Sequence, residues 1–152
     1  MGTIIVETFI ARLPEEVFAY LREYSNEAKW QSAHVSESIV EPPGPARVGT
    51  RVHKVRHTGR GSGEQRFTIE IIEMDETSRR WTDVTMTGPF RGTKGSWQVL
   101  AEKGGSRVRL AAEMHAQGLW RLLMPVIDQS ARQDLQAEFA NLKKVLESTH
   151  SA

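Results

Sequence analysis

Four side chains in this sequence have the chemistry for acid-base catalysis or for polarising an oxygen, although no short motif joins them. A carboxylate or an imidazole can transfer a proton, and a guanidinium can polarise an oxygen. The four candidates for catalysis are Arg66, Asp83, Arg91 and His115. Burial of an Asp or Arg is costly without a partner, so finding either inside a pocket would indicate ligand recognition or catalysis. His34 and Tyr20 are further candidates for buried polar contacts.

Two pairs of titratable residues are spaced closely enough to suggest joint chemistry. His53 and His57 stand four residues apart in HKVRH. On a strand, that spacing separates them by about 13 Å at roughly 3.3 Å per residue, too far to share one zinc ion at bonds of about 2 Å. We therefore predict no metal site and no cofactor. Glu113 and His115 share one strand face and could orient each other, although a simple salt bridge is the plainer interpretation.

Most of the chain that positions these residues has the alternation of β-strands. Strands are predicted at residues 3–11, 35–40, 48–57, 64–74, 80–87, 90–100 and 107–115. Pro14, followed by Glu15 and Glu16, favours a helix start, and residues 25–30 indicate a second short helix. Short loops between consecutive strands predict an antiparallel meander.

The end of the chain changes to a helical period. Its apolar residues follow spacings of three and four and predict a single stripe. The stripe comprises Leu119, Leu122, Leu123, Val126, Ile127, Ala131, Leu135, Phe139, Leu142 and Leu146. We predict a long helix over about residues 125–147, started or kinked by Pro125. One sheet covered by one helix readily leaves a space between them.

Three segments carry a family resemblance in this order of elements. They are PEEVFAYLREYSNEAKW at 14–30, GPARVGTRV at 44–52 and NLKKVLE at 141–147. Together they resemble the START-like or SRPBCC superfamily, and its polyketide cyclase/dehydrase-like branch looks closest. The resemblance implies an α+β helix-grip fold, with a curved antiparallel seven-stranded sheet wrapped around the C-terminal helix. It also implies a cavity for lipids, polyketides or aromatic compounds.

The wall of that cavity is predicted from large apolar residues of the strands and from the inward face of the long helix. Packing in the core is the plainer role for any one aromatic residue. The predicted ligand-binding residues are Phe67, Ile69, Trp81, Trp97, Met124, Ile127, Ala131, Leu135 and Phe139. The small side chain of Ala131 would leave room where larger residues fill it. Alternation does not decide which strand face points inward.

Composition limits the partners of the chain. The 152 residues suit one domain over 1–152, with 39% hydrophobic residues and a formal net charge of +1. Six basic residues against one acid between Arg47 and Arg66 could attract phosphate, but the balanced chain and the lack of a recognition motif argue against nucleic acid. No segment has the length and apolarity of a membrane span, so no stable membrane insertion is expected. A cytoplasmic location is expected, and homodimer formation is left open.

Three functions from different classes follow. The leading hypothesis is binding of a small hydrophobic molecule between the sheet and the C-terminal helix. The second is a metal-independent cyclase, dehydratase or aromatase that acts through acid-base residues in the cavity. The third is a protein-interaction module of the co-chaperone or toxin-antitoxin type, which ranks lowest because the sequence has no dedicated docking segment.

Overall fold

The N-terminal part of the chain forms a strand followed by short helices, as predicted. The computed structural model describes residues 3–57 and 63–148. Strand β1 covers Thr3–Ile10, helix α1 covers Pro14–Arg22, and a 3-10 turn at Tyr24–Asn26 leads into helix α2 at Glu27–Trp30. Pro14 occupies the first turn of α1, where its fixed φ and missing N–H are tolerated. The predicted hairpin turn at residues 58–63 lies mostly outside the described residues.

Seven strands form one antiparallel sheet in the order β1-β7-β6-β5-β4-β3-β2. After β1, the strands are β2 (Val35–Glu41), β3 (Arg51–His57), β4 (Glu64–Asp75), β5 (Arg80–Thr85), β6 (Lys94–Glu102) and β7 (Gly105–Glu113). The meander from β2 to β7 follows from the short connections, and β1 closes the row by pairing with β7. This arrangement confirms the predicted helix-grip architecture.

The predicted strand at residues 90–100 is wrong at its start. Gly88 and Gly92 have φ of 92° and 94°, a backbone region that favours glycine. Thr85 closes the turn, because its N–H donates to the Thr93 carbonyl and its own carbonyl accepts from Gly92, both at 2.8 Å. Strand β6 therefore begins at Lys94, and Phe90 lies in a turn although its residue type favours a strand.

Helix α3 (Met124–Ser148) closes the fold, with Pro125 in its first turn. Its C-terminal half is fastened to β1 and the loop after it. Lys143 Nζ donates to the Phe9 carbonyl at 2.8 Å, and Arg12 Nε donates to the Leu146 carbonyl at 2.9 Å. Phe139, Leu142 and Leu146 are buried there. The helix thus grips the sheet mainly at one end.

The predicted apolar stripe is wrong at its beginning. A 3-10 segment at Gly118–Leu123 precedes α3, and Leu119, Leu122, Leu123 and Val126 are exposed rather than buried. Spacing identifies residues that share a face, but the contacts of the folded chain decide which face is covered. The residues of that face are taken up again below.

Candidate functional site

The inner face of the sheet brings together both groups of strand residues that alternation had defined. Ile69 pairs with Thr85 and Ile71 pairs with Asp83, so the apolar residues of β4 and the Trp81, Asp83 and Thr85 set of β5 share one face. Ile71 and Trp81 are buried in the core. That face is therefore the one covered by the helices.

Aromatic side chains fill the interior beside the C-terminal half of α3. Trp81 and Trp97 stack with their ring centroids 5.5 Å apart and their planes at 2°. Phe139 of α3 lies 5.9 Å from Trp97, and Trp30 contacts both of them edge-on at 6.1 Å. Three predicted wall residues, Trp81, Trp97 and Phe139, are thus brought together in one packed aromatic cluster.

Asp83 is the one catalytic candidate that lies among the buried polar groups of this interior. Its Oδ2 accepts a hydrogen bond from Tyr24 Oη at 2.7 Å and from Trp97 Nε1 at 3.2 Å. Trp81 Nε1 donates to Tyr24 Oη at 2.8 Å. A Cβ at Gly95 would stand 2.7 Å from Asp83 Oδ1, so glycine leaves the space for the carboxylate.

Burial controls the ionisation of these groups. It raises the pKa of Asp83, although the hydrogen bond from Tyr24 and the positive charge of Lys54 oppose the rise. Burial also raises the pKa of Tyr24 well above its usual range, and the nearby Asp83 charge adds to it. A carboxyl group with a raised pKa is a better proton donor near neutral pH than an ordinary Asp.

A second polar pair lies next to the aspartate and joins α2 to β3. Lys54 Nζ stands 2.9 Å from Glu27 Oε1, with the two side chains 9% and 4% exposed. Burial raises the pKa of Glu27, whereas the neighbouring Lys54 lowers it. Lys54 also lies over the ring of Phe67, at 5.7 Å from its centroid. The interior thus combines an ammonium, two carboxyl groups and a phenol among aromatic rings.

A polar clamp holds the middle of α3 against the sheet edge. Glu138 Oε2 accepts from Arg56 Nη2 of β3 at 3.0 Å and lies 2.7 Å from His34 Nδ1. Asp134, one turn earlier on α3, stands 3.4 Å from Arg56 Nη2 and 3.5 Å from His34 Nε2. Glu138 is 2% exposed and Asp134 is 38% exposed, so the clamp becomes more open toward the N-terminus of α3.

The inward residues of α3 are less covered in its N-terminal half than in its C-terminal half. Ile127, Ala131 and Leu135 are partly buried, whereas the inward residues of the C-terminal half are fully covered. Ala131 and Leu135 contact the edge of the core, as does Phe67 from the strand opposite Lys54. Met124 is buried at the start of the helix. This part of the wall, near Lys54 and Glu27, is where space for a ligand is expected.

The other catalytic candidates lie apart from this group. Arg66 alternates with the inward Phe67, so it points to the outer face, 69% exposed and 3.3 Å from Glu64. Arg91 is exposed in the turn before β6. His115 follows β7, and its backbone N–H donates to Thr93 Oγ1 at 3.0 Å. Their catalytic roles stay predictions without a structural argument from this interior.

Three interior residues were missed as functional candidates from the sequence, namely Tyr24, Glu27 and Lys54. Lys54 shares a strand face with Val52 by alternation, but alternation alone does not show that this face points inward. For Glu27 and Tyr24 the sequence offered no such sign, because short helices do not fix the direction of each side chain. His34 was correctly considered for buried polar contacts.

Two open hollows lie on the outer face of the sheet. One of about 280 Å³ crosses β2, β3 and β4 near Ile39, His53 and Thr68. The other, of about 540 Å³, lies over β4, β5 and β6 near Thr82 and Ser96, whose pairing places them opposite the stacked tryptophans. Both are shallow surface features of the sheet rather than parts of the helix-covered interior.

The two histidines of β3 contact neighbouring side chains of the sheet. His53 contacts Thr68 and Glu41, and His57 contacts Ser36, all through ring nitrogens within 3.0 Å. Across residues 3–57 and 63–148, no three His, Asp or Glu side chains are grouped as metal ligands would be. None of the helices in the same ranges combines the length and apolarity needed to cross a membrane.

The fold and the interior define a helix-grip protein whose long helix covers one aromatic-lined sheet face. The chain belongs to the family of polyketide cyclase / dehydrase and lipid transport proteins, whose model matches residues 1–147. Membership supports a fold for hydrophobic ligands. No curated protein sequence matches the chain.

Solved structures share the fold at low sequence identity. A protein from Thermus thermophilus is 21% identical with a TM-score of 0.82, covering 99% of this chain and 100% of that one. Norcoclaurine synthase from Thalictrum flavum, in complex with dopamine and hydroxybenzaldehyde, is 13% identical with a TM-score of 0.72, covering 99% and 89%. The di-domain ARO/CYC BexL of the BE-7585A biosynthetic pathway is 18% identical with a TM-score of 0.74, covering 95% and 46%.

Proposed function

We propose that the protein binds a small hydrophobic molecule between the N-terminal half of α3 and the sheet. The observation that carries this proposal is the contrast along α3: the inward residues are covered at the C-terminal end and partly open at Ile127, Ala131 and Leu135. Apolar walls with a few convergent polar groups are typical of ligand sites. The wall here would be formed by these three residues with Met124, Phe67 and Ile69.

The polar groups narrow the chemistry of the ligand. The Lys54 ammonium, paired with Glu27, and the Asp83 carboxyl, bonded to Tyr24, lie in a mainly apolar interior, where a buried charge is stabilised by a further hydrogen-bonding partner. We therefore propose a mainly apolar ligand that carries a carbonyl or hydroxyl oxygen at one end. Lipids, polyketides and aromatic carbonyl compounds all meet that description, and the family name includes the first two of these classes.

Native mass spectrometry of the purified protein tests this proposal first. We expect a mass above that of the chain, and the excess should disappear on denaturation. Protein stripped of the bound compound should then bind anilinonaphthalene sulfonate, an apolar probe with one anionic end. A bare chain mass, together with no saturable probe binding, would contradict the proposal. The variant Leu122→Glu controls for probe bound to the outside, because Leu122 is 78% exposed.

A second candidate function is metal-independent acid-base catalysis, a cyclisation or dehydration of a carbonyl compound. It is favoured by the raised pKa values of Asp83 and Glu27 and by the ammonium of Lys54 beside them. In that role Asp83 would donate its proton to the carbonyl oxygen, and the positive charge of Lys54 would stabilise the Asp83 carboxylate that is left.

Turnover of the retained compound separates catalysis from binding. If the protein is an enzyme, incubation should remove one water from the compound or shift its retention at constant mass. Asp83→Asn and Lys54→Met should then abolish the change, and Arg66→Met should not, because Arg66 lies on the outer face. An unchanged compound with all four proteins would limit the function to binding.

The remaining expectations stay predictions. They are the single domain over residues 1–152, the cytoplasmic location, the absence of nucleic-acid binding and the open matter of a homodimer. Size-exclusion chromatography with light scattering tests the last of these directly.

A further inference from the structure

An apolar patch faces solvent where the 3-10 segment meets α3. We define the 119–126 patch as Leu119, Trp120, Leu122, Leu123 and Val126, exposed by 81%, 42%, 78%, 52% and 70%. Its aliphatic members, from the 3-10 segment and the first turn of α3, are all more than half exposed. Single exposed apolar residues need no explanation, but a contiguous group of large ones marks an interaction surface.

The patch is held in a fixed position by the turn before β6. The Gln117 N–H donates to the Pro89 carbonyl at 2.9 Å, and its side-chain amide donates to the Arg91 carbonyl at 3.2 Å. The Trp120 and Phe90 rings pack edge-on with centroids 5.6 Å apart. The leucines are therefore displayed on an anchored segment, and the Trp ring lies at its border.

Two exposed arginines lie in and beside the patch. Residues 86–101 and 114–127, which form the turn, the patch and their flanks, contain no Asp or Glu. Arg121 lies within the patch and Arg91 lies in the neighbouring turn, and both side chains are exposed. Lys94 adds no net positive charge beside the patch, because Glu113 pairs opposite it on β7. The surface is thus apolar and cationic together.

We propose that the 119–126 patch docks on an anionic lipid bilayer. Leucines inserted below the headgroups, a tryptophan at the interface and arginines among anionic lipids are the features that hold a helix in the interfacial plane. A symmetric dimer through the same patch is disfavoured, because it would bring two Arg121 side chains into one apolar interface and the patch has no acid to pair with them. Docking presents the half-open end of the interior, at Ile127, to the membrane.

Vesicle flotation tests the docking without any ligand. We expect the protein to float with vesicles of equimolar phosphatidylcholine and phosphatidylserine, less with phosphatidylcholine alone, and less again at high salt. Leu122→Glu should weaken binding by about tenfold or more, because it replaces a leucine that inserts into the bilayer by a negatively charged side chain. Arg121→Glu should abolish the preference for phosphatidylserine.

Leu13→Glu is the matched control. Leu13 is 62% exposed at the start of α1, away from the patch, so its variant should float like the wild type. Unchanged urea midpoints for all three variants would exclude unfolding as the cause. Flotation of Leu122→Glu equal to wild type would overturn the proposal. A wild-type protein that floats with neither vesicle would also overturn it. In that case, a wild-type dimer in sedimentation and a monomeric Leu122→Glu variant would show that the patch joins two copies of the chain.

Failure of docking leaves the proposed ligand binding untouched, because the probe titration uses no membrane. Conversely, a protein that floats but retains no compound would keep the docking surface and refute the proposed function.

Discussion

The buried charges of the interior are weak evidence for stability and support the proposed ligand site. Glu27 and Lys54 are nearly without water, and replacing such a pair by apolar residues of similar volume is often neutral or stabilising. Their position beside Asp83 therefore supports the proposed recognition of a polar group on a ligand. The pair still has a measurable energetic signature, because each charge is tolerated only in the presence of the other.

We expect Lys54→Met and Glu27→Leu each to lower the free energy of unfolding by about 3–5 kcal/mol, since each leaves one buried charge uncompensated. The double variant should recover much of that loss. Urea unfolding at neutral pH measures all three. Arg66→Met, which breaks an exposed contact with Glu64, should cost less than about 1 kcal/mol. Additive losses in the double variant would contradict a coupled pair.

Asp83→Asn should change how stability depends on pH. Because burial raises the pKa of Asp83 in the folded state, the protonated form is favoured there, and its stabilisation is present at acidic pH and is lost as pH rises through the raised value. Asparagine keeps an oxygen for Tyr24 and does not ionise. The stability of Asp83→Asn relative to wild type should therefore increase with pH in thermal unfolding.

Asp75→Asn is the control, because its stability relative to wild type should change with pH in the opposite direction. Backbone N–H groups of Ser78 and Thr77 donate to the Asp75 carboxylate at 3.2 and 3.1 Å and lower the pKa of that group. Its stabilisation is present above the usual pKa of an Asp and is lost as pH falls. If both variants shifted with pH in the same direction, the assignment of a buried, protonation-favouring site to Asp83 would be wrong.

At the scale of elements, α3 has two halves with different tasks. The C-terminal half packs on β1 and is fixed by Lys143 and Leu146. The inward residues of the N-terminal half are only partly covered. The clamp formed by His34, Arg56 and Glu138 lies between the two halves and sets the distance between helix and sheet.

Two acids one turn apart on α3 test the clamp. Glu138→Ala should lower the free energy of unfolding by roughly 1.5–3 kcal/mol, because Glu138 is buried and hydrogen-bonded to a charged partner. Asp134→Ala touches the same partners but is 38% exposed, and should cost less than about 1 kcal/mol. Equal losses in urea unfolding would mean that the buried contact does not hold the helix.

Element boundaries show where sequence patterns stop being sufficient. Alternation predicted the strands because inward residues such as Ile69 and Ile71 recur at a period of two. It placed the start of β6 too early because Phe90 suits a strand, while the glycines that form the turn act through their backbone. The stripe through Leu119 and Leu122 had the correct period, but only long-range contacts decide whether such a face meets a sheet or solvent.

Over the whole molecule, the fold and family could be predicted from the order of elements, whereas the site could be predicted only in part. The apolar wall on α3 follows from helical spacing. The polar groups opposite it come from α2, β3 and β5, which are distant in sequence and meet only through the sheet register and the helix packing. Hydrophobic periodicity does not show which distant elements contact each other, so Lys54 and Glu27 could be identified only from the structure.

The two proposed sites lie at the same end of the molecule. One is the half-open interior beside Ile127, Ala131 and Leu135. The other is the 119–126 patch at the same end of the helix. Their proximity follows from the chain itself, since Val126, which is 70% exposed, and Ile127, which is partly buried, are consecutive residues of α3.

Filling the proposed ligand space is the most direct test of the central claim. Ala131 faces the interior, and Ala140 lies nine residues further on the opposite, exposed face of the same helix. In calorimetric titration of anilinonaphthalene sulfonate into stripped protein, Ala131→Trp should weaken binding by about 10–100-fold, because the indole occupies the space. Ala140→Trp should bind like the wild type. Equal affinity of both cooperatively unfolding variants would contradict a ligand site beneath the N-terminal half of α3.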